Sequence, residues 1–525
     1  MGNAKKTKAT RKKTILGINI LWPAAIIFFI AACFAMWNLA HVSMSSYPAN
    51  DLCEHIALIK FAREYGFFGS VPYWNNGDFY VGKINGITYY SIGVLISYLF
   101  SDYRVAFILS YALMFILGLI ASFIYGKVKK YSLKKSLLFY ILFFCSPLAI
   151  AYFIGLGSPG SFIGWIMILL MIAIFEHYKD RPIDWGFATI IPVYALAIMS
   201  HIYIFILSSI ILLWFFICRT KRIKEIFSKD NLIIIFCGMA SLVITSFWWI
   251  YFFSLYNRII AGNSIPYPYQ DLKYIFALEP YGAMFTFIIP IMFLLLIWYQ
   301  REKVKQNYLY YIVPLVISVL MITRTLSFVP VLNRIGPENM CLLIYLYTLI
   351  LLFDANITMP KNLARFTKFV AIAIIISTML VGAMFAYTYY YSNSLKLTPL
   401  DNEAISLVSN HSTDIHNMII VYDWSKLKLP IYIKLNAYFS FKYDINTSQT
   451  ALGQSVNSTL AERLNTLENL TDYSQCNKTE QSIRYLGPDH VLTLNIDCSK
   501  VRCGYLELVD KSENVCLFRV INATD

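Results

Sequence analysis

The sequence predicts a polytopic α-helical membrane protein of about eleven spans, with a cytoplasmic N-terminus and a C-terminal extracytoplasmic α/β domain. Three observations carry this. Of the 525 residues 58% are hydrophobic and only 14% charged, and the apolar ones are collected into long blocks instead of core-like intervals. Lys and Arg concentrate in every second connection between those blocks. After Tyr391 the composition turns to ordinary polarity with no further spanning segment.

In chain order, a cytoplasmic basic tail (residues 1–14) carries Lys5, Lys6, Lys8, Arg11, Lys12 and Lys13. The first span runs from Ile15 to about Ala40. A cleaved signal peptide is the competing reading, but no small-residue cleavage site follows and the apolar stretch is long for a signal core. Further spans fall near 103–126, 136–153, 160–178, 185–200, 202–218, 231–253, 282–299, 308–323, 339–353 and 368–391, closing the membrane part (15–391). The segment 84–100 is apolar but short and punctuated by glycine, which reads as a re-entrant or interfacial helix; were it to span, every later orientation would flip.

Cytoplasmic connections retain Lys and Arg, which decides the topology. With eleven spans the inside loops are 127–135, 179–181, 219–229, 301–305 and 361–368, and with the N-terminal tail they hold 24 of the 44 basic residues. The outside loops of the membrane part hold eight: Lys60, Arg63, Lys83, Arg104, Arg258, Lys273, Arg324 and Arg334. The net charge of +14 is thereby an orientation signal, and it calls for no nucleic-acid partner.

Residues 392–525 form the extracytoplasmic α/β domain, with helices after Asp401 and near 424–435 and 456–469, and strands at Asn417–Tyr422, His490–Ile496, Gly504–Val509 and Val515–Val520. Six glycosylation sequons, at Asn410, Asn446, Asn457, Asn469, Asn477 and Asn522, agree with that side of the membrane. So does an even cysteine set, Cys476, Cys498, Cys503 and Cys516, which permits two disulfides in three pairings. A zinc site is the weaker reading, because no C-x-x-C pair occurs and His490 has no second histidine beside it. The sequon at Asn356 falls on the cytoplasmic side and stays bare.

The first outside loop, residues 41–86, is too long and too specific for a connector. It reads Asn50-Asp51-Leu52-Cys53-Glu54-His55, a mixed helix to about Tyr65, then Val71-Pro72-Tyr73-Trp74-Asn75-Asn76-Gly77. On a helix Asp51, Glu54 and His55 share a face, and at a membrane surface such a trio could deprotonate an acceptor hydroxyl or hold a divalent cation, Mg or Mn. The bland alternative is a capping box, with Asp51 as N-cap and Glu54 three residues on.

This arrangement, an acidic residue near the start of a short helix in D-x-x-x-H form, then a Pro-Tyr-Trp-Asn turn and a short apolar helix, resembles the polytopic glycosyltransferases of the GT-C superfamily. The similarity is best over about residues 15–126; beyond, only the many-span layout and the α/β tail match. The resemblance implies a polyprenyl-phosphate sugar donor, Asp51 as catalytic base, and Glu54 and His55 as supporting or metal-binding positions. It implies membrane lipid as surroundings and a glycan, lipid or protein as acceptor. Asp51 has no acidic neighbour where many members carry an adjacent acidic pair, which bears on metal dependence. The Trp-Trp-Asp-Tyr-Gly signature of the oligosaccharyltransferase branch is absent, and Tyr422-Asp423-Trp424 is only a fragment of it, which disfavours en bloc glycan transfer.

Against a lipid-phosphate donor, Arg258, Arg324 and Arg334 lie on outside loops where a guanidinium could pair two phosphate oxygens; snorkelling, or pairing with Glu279 or Glu338, is the alternative. Arg334 stands in a polar break, Asn333-Arg334-Ile335-Gly336-Pro337-Glu338-Asn339, directly before a span, so it lines a cavity or is buried in protein. His201, between two closely spaced spans, faces the site or is a structural histidine. The turn Gly155-Leu156-Gly157-Ser158-Pro159-Gly160 lacks the lysine of a phosphate loop and reads as a tight inter-span connection. A transporter is the second function class, weakened by the near absence of charge at span centres. A non-catalytic envelope protein of the same architecture is the third.

Overall fold

The computed structural model describes residues 52–71, 81, 86–146, 149, 152–153, 158–220, 223–250, 289–301, 308–354, 399–422, 432–447, 466–467, 470 and 475–521. The expected spans at 15–40 and 368–391 lie outside these residues, as do Asp51, Arg258, Asn457, Asn469 and Asn522.

Helix α1 (Leu52–Tyr65) has neither Gly nor Pro in its interior and stops at Gly66, whose φ of +73° is the left-handed conformation that ends helices. It buries every residue from Glu54 to Ile59, then Phe61 and Ala62. A helix covered on all sides has no reason to show an apolar stripe, which is why its sequence lacks one. Helix α2 (Ile87–Ser97) packs against α1; its eleven residues rise about 16 Å, half of a bilayer core. Arg63 ties the end of α1 to the α2–α3 connection by donating to Ser97 O at 2.5 Å, with its guanidinium 5.2 Å from the Tyr98 ring and 5.6 Å from Tyr103.

The bundle continues with α3 (Tyr103–Val128), α4 (Leu133–Phe144), α5 (Pro159–Tyr178), α6 (Ile190–Ser200), α7 (Ile202–Arg219), α8 (Lys229–Ile244), α9 (Ile289–Tyr299), α10 (Tyr308–Ile322) and α11 (Pro337–Asp354). Serine and aspartate cap three of them: Asp102 accepts from the Arg104 amide, Ser132 from Lys135 and Ser228 from Asn231. By length and composition, α3, α5 and α7 can each cross a membrane. Helix α5 is the hub, buried over most of its length and packed on α3, α6 and α7. Helix α8 instead exposes Leu232, Ile235, Phe236, Met239 and Val243, a stripe at helical spacing that suits contact with lipid chains.

One end of the bundle is tied by ion pairs. Lys129 Nζ lies 3.1 Å from Glu176 and 2.7 Å from Asp354, Tyr131 donates to Asp354 at 2.5 Å, and Arg219 meets Asp230 at 2.7 Å. Lys129, Glu176, Arg219, Asp230 and Asp354 line a cavity of about 910 Å³. The α2 start, the α6–α7 junction and the α5 and α11 starts lie at the opposite end, together with the C-terminal domain.

That domain is a five-stranded mixed sheet in the order β2-β1-β3-β5-β4, built from β1 (Asn417–Tyr422), β2 (Asn446–Thr447), β3 (His490–Leu494), β4 (Leu506–Lys511) and β5 (Val515–Val520). Strand β1 is parallel to β2 and β3, while β3, β5 and β4 run antiparallel. Alternate side chains of β1 serve two cores: Met418 and Ile420 pack with α12 (Pro399–Asn410) and α13 (Tyr432–Tyr443), Ile419 and Val421 with α14 (Cys476–Leu486). Disulfides join Cys476 to Cys503 and Cys498 to Cys516, one of the three pairings that the spacing allows. Helix α13 overlaps the end of the helix expected near 424–435, whose earlier residues lie outside the described ones, and α14 is a helix that its polar sequence conceals.

Candidate active site

Glu54 and His55 occupy the first two turns of α1, Glu54 at 1% exposure and His55 at 9%. A buried carboxylate beside a buried imidazole is costly to desolvate, and such groups concentrate where chemistry is done. The two are successive on the helix, so their side chains leave the axis about 100° apart. His55 Nδ1 shares a 2.7 Å hydrogen bond with the Tyr90 hydroxyl, and its ring centroid is 6.3 Å from Tyr89 and 5.9 Å from Tyr90. Tyr90 is placed by the first turn of α2, where its amide donates to Gly86 O.

Gly86 sits at φ +102°, and a Cβ there would meet the Tyr90 ring at 3.3 Å and Ser200 O at 3.7 Å. Gly160, one residue into α5, is tighter still: its Cβ would lie 2.5 Å from Ser200 O and 3.2 Å from Gly86 Cα. Backbone from α2, α5 and the α6–α7 junction thus meets at one point, beside His201. His201 lies between α6 and α7, and its Nδ1 accepts the Tyr203 amide at 3.2 Å, which leaves the proton of the neutral ring on Nε2. Burial, and after it the nearby His55, pushes His201 down to about 4, so the ring is neutral at physiological pH.

A chain of buried hydrogen bonds runs from this point to the α10–α11 connection. Ser161 on α5 accepts from Ser158 at 2.8 Å and from Tyr152 at 3.0 Å, and Asn339 on α11 donates to the Tyr152 hydroxyl at 2.7 Å. The connection itself folds into two 3-10 turns, Thr325–Phe328 and Leu332–Arg334, anchored by fully buried Leu326 and Ile335 and by Asn333 donating to Ser327 O at 3.1 Å. Arg324 opens the first turn in a left-handed conformation, and Arg334 ends the second. Glu338 folds back over Gly336, its carboxylate filling the space a side chain there would need.

Of the residues singled out from sequence, Glu54, His55 and His201 are therefore gathered at one end of the bundle, with the backbone of Arg324 and Arg334 at the same end. Tyr90, Tyr152 and Ser161 escaped sequence reading, because a tyrosine or serine inside an apolar helix looks like packing, whereas Asn339 belongs to the polar break that the sequence singled out. Among the described residues no three His, Cys, Asp or Glu side chains cluster at metal-ligand spacing.

The fold is similar to those of an oligosaccharyltransferase and of ArnT. The apo oligosaccharyltransferase of Archaeoglobus fulgidus aligns over 92% of this chain and 70% of its own, with a TM-score of 0.57 and 10% identity. ArnT from Cupriavidus metallidurans aligns over 95% of this chain and 98% of its own, with a TM-score of 0.52 in the apo state and 0.50 bound to undecaprenyl phosphate, at 11% identity in both. No family model matches the sequence, and no curated protein does.

Proposed function

We propose that this chain is a membrane glycosyltransferase that moves a sugar from a polyprenyl-phosphate donor to an acceptor at the extracytoplasmic face. The observation that carries the proposal is the likeness of fold over nearly the whole of this chain and of ArnT, a protein solved with undecaprenyl phosphate bound. The buried acid–imidazole pair of α1 supplies polar groups suited to such chemistry at the end where the sequence predicts the outer face.

In the reaction we assign, Asp51 takes the proton from the acceptor hydroxyl as that oxygen attacks the anomeric carbon. The bond to the lipid phosphate breaks on the opposite side, inverting the centre, and Arg258, Arg324 and Arg334 stabilise the departing phosphate; stabilising that charge is the largest catalytic contribution. His55, held by Tyr90, is a supporting group for that base. A divalent cation, Mg or Mn, would need Asp51 to join Glu54 and His55, since the latter two diverge on the helix, and no step above passes through it. The acceptor is a glycan, a lipid or a protein; the missing oligosaccharyltransferase signature speaks against en bloc transfer to protein.

The test is transfer by the purified chain in liposomes from labelled polyprenyl-phosphate sugars and, in parallel, from nucleotide sugars. Label leaving only the lipid-linked donors supports the proposal. No transfer from any lipid-linked donor, or transfer from nucleotide sugars alone, overturns it.

A further inference from the structure

Among the described residues, the C-terminal domain packs on the bundle through α1. Helix α13 packs along α1, the helix that carries Glu54 and His55. Lys60, on that same helix, reaches Asp444 with Nζ 2.6 Å from Oδ1, although 384 residues separate the two in sequence. The Lys60 side chain is only 12% exposed, so its stem lies in the interface, and its ammonium ends on a carboxylate that is 58% exposed.

Asp444 is itself held firmly. It follows α13 directly in a left-handed backbone conformation. The next residues close onto the sheet: Ser440 donates to Ile445 O at 3.0 Å, and the Asn446 amide donates to His416 O at 2.8 Å. The carboxylate is thus fixed to the edge of a disulfide-bonded domain, and it adds a hold from that domain to a helix that the bundle already holds through His55–Tyr90, Arg63–Ser97 O and Glu64–Tyr103. Such a pair, with one partner in solvent, adds little to stability. What it supplies is register between the domain and α1, because the packing of α13 along α1 alone lets the two slide slightly and a directional bond does not.

We propose that Lys60 and Asp444 are positioning residues, through which the C-terminal domain fixes the rotation and height of α1 and so the placement of Glu54 and His55. The proposal rests on the glycosyltransferase reading for its effect on rate, but its structural part stands apart from it. A displacement of about 1 Å at a reacting group can lower a rate by roughly 100-fold, so a weak tether can have a large kinetic effect.

The experiment compares Asp444→Lys, Lys60→Glu and the double exchange in the full-length protein in liposomes, with hydrogen exchange of the α1 amides and steady-state transfer as separate readouts. Each single variant is expected to speed α1 exchange and to lower kcat by about 10-fold or more with donor KM unchanged, and the exchanged pair to restore both. Unchanged α1 exchange in the single variants, or a double variant no better than either single, overturns the proposal. Should the reversals fail to fold, Asp444→Asn removes the charge at constant shape and carries the same comparison with wild type. If α1 exchange responds and is rescued while no form of the protein transfers sugar, the positioning stands and the glycosyltransferase reading falls.

Discussion

His55 and Tyr90 stand 35 residues apart in the chain and 2.7 Å apart in space, and that bond decides how the imidazole is presented. Removing it with Tyr90→Phe costs about 1 kcal/mol of net hydrogen-bond energy, roughly a five-fold effect. We expect it in kcat, with donor KM and thermal stability nearly unchanged; an equal loss in KM would make Tyr90 a binding residue instead. His55 was legible in the sequence because its spacing from Asp51 and Glu54 is helical. Tyr90 was not, since nothing in Ile87-Thr88-Tyr89-Tyr90 separates a tyrosine that bonds a histidine from one that only packs. Glu54 carried two readings, cap or chemistry, and its burial favours a role beyond a cap, because a carboxylate that only caps a surface helix has no need to leave water. Gly160 reads as the end of a loop, yet its hydrogen fills the one gap through which α5, α2 and the α6–α7 junction touch.

At the scale of elements, α1 and α14 mark where periodicity misleads in opposite ways. Helix α1 is buried all round between α2, α3 and α13, so the sequence offers no stripe to read. Helix α14 has a clear one, Thr479, Ser482, Ile483 and Leu486, but half of it is polar: Thr479 is buried through its 2.6 Å hydrogen bond with Tyr505. The strands were easier, since β1 and β3 are continuous apolar runs of the kind a sheet covered on both faces requires. The cysteine number pointed to disulfides but not to their pairing, which depends on α14 and β5 sharing one core. The Cys476–Cys503 bond ties that helix to the sheet across 27 residues. Replacing both cysteines with serine should lower the stability of the domain by about 2–4 kcal/mol in denaturant unfolding. A change below about 0.5 kcal/mol would mean that packing alone holds α14.

For the whole molecule, the mostly helical layout was legible because lipid forces apolar residues into blocks, and three of the described helices are long and apolar enough to cross a membrane. What the sequence concealed is the division of labour between the two ends. One is tied by the Lys129, Glu176 and Asp354 ion pairs, while the other gathers α1, the α6–α7 junction and the α10–α11 connection, with the C-terminal domain packed on α1. These are long-range contacts, invisible to any local pattern. The account assigns the chemistry to the second end, and the most direct measurement is the rate of sugar transfer from polyprenyl-phosphate donor in matched liposomes at equal protein, wild type against Asp51→Asn. Loss of the general base predicts a rate lower by about 100-fold or more with protein stability retained. Indistinguishable rates would make Asp51 no more than a helix cap and contradict the assignment of the active site to α1.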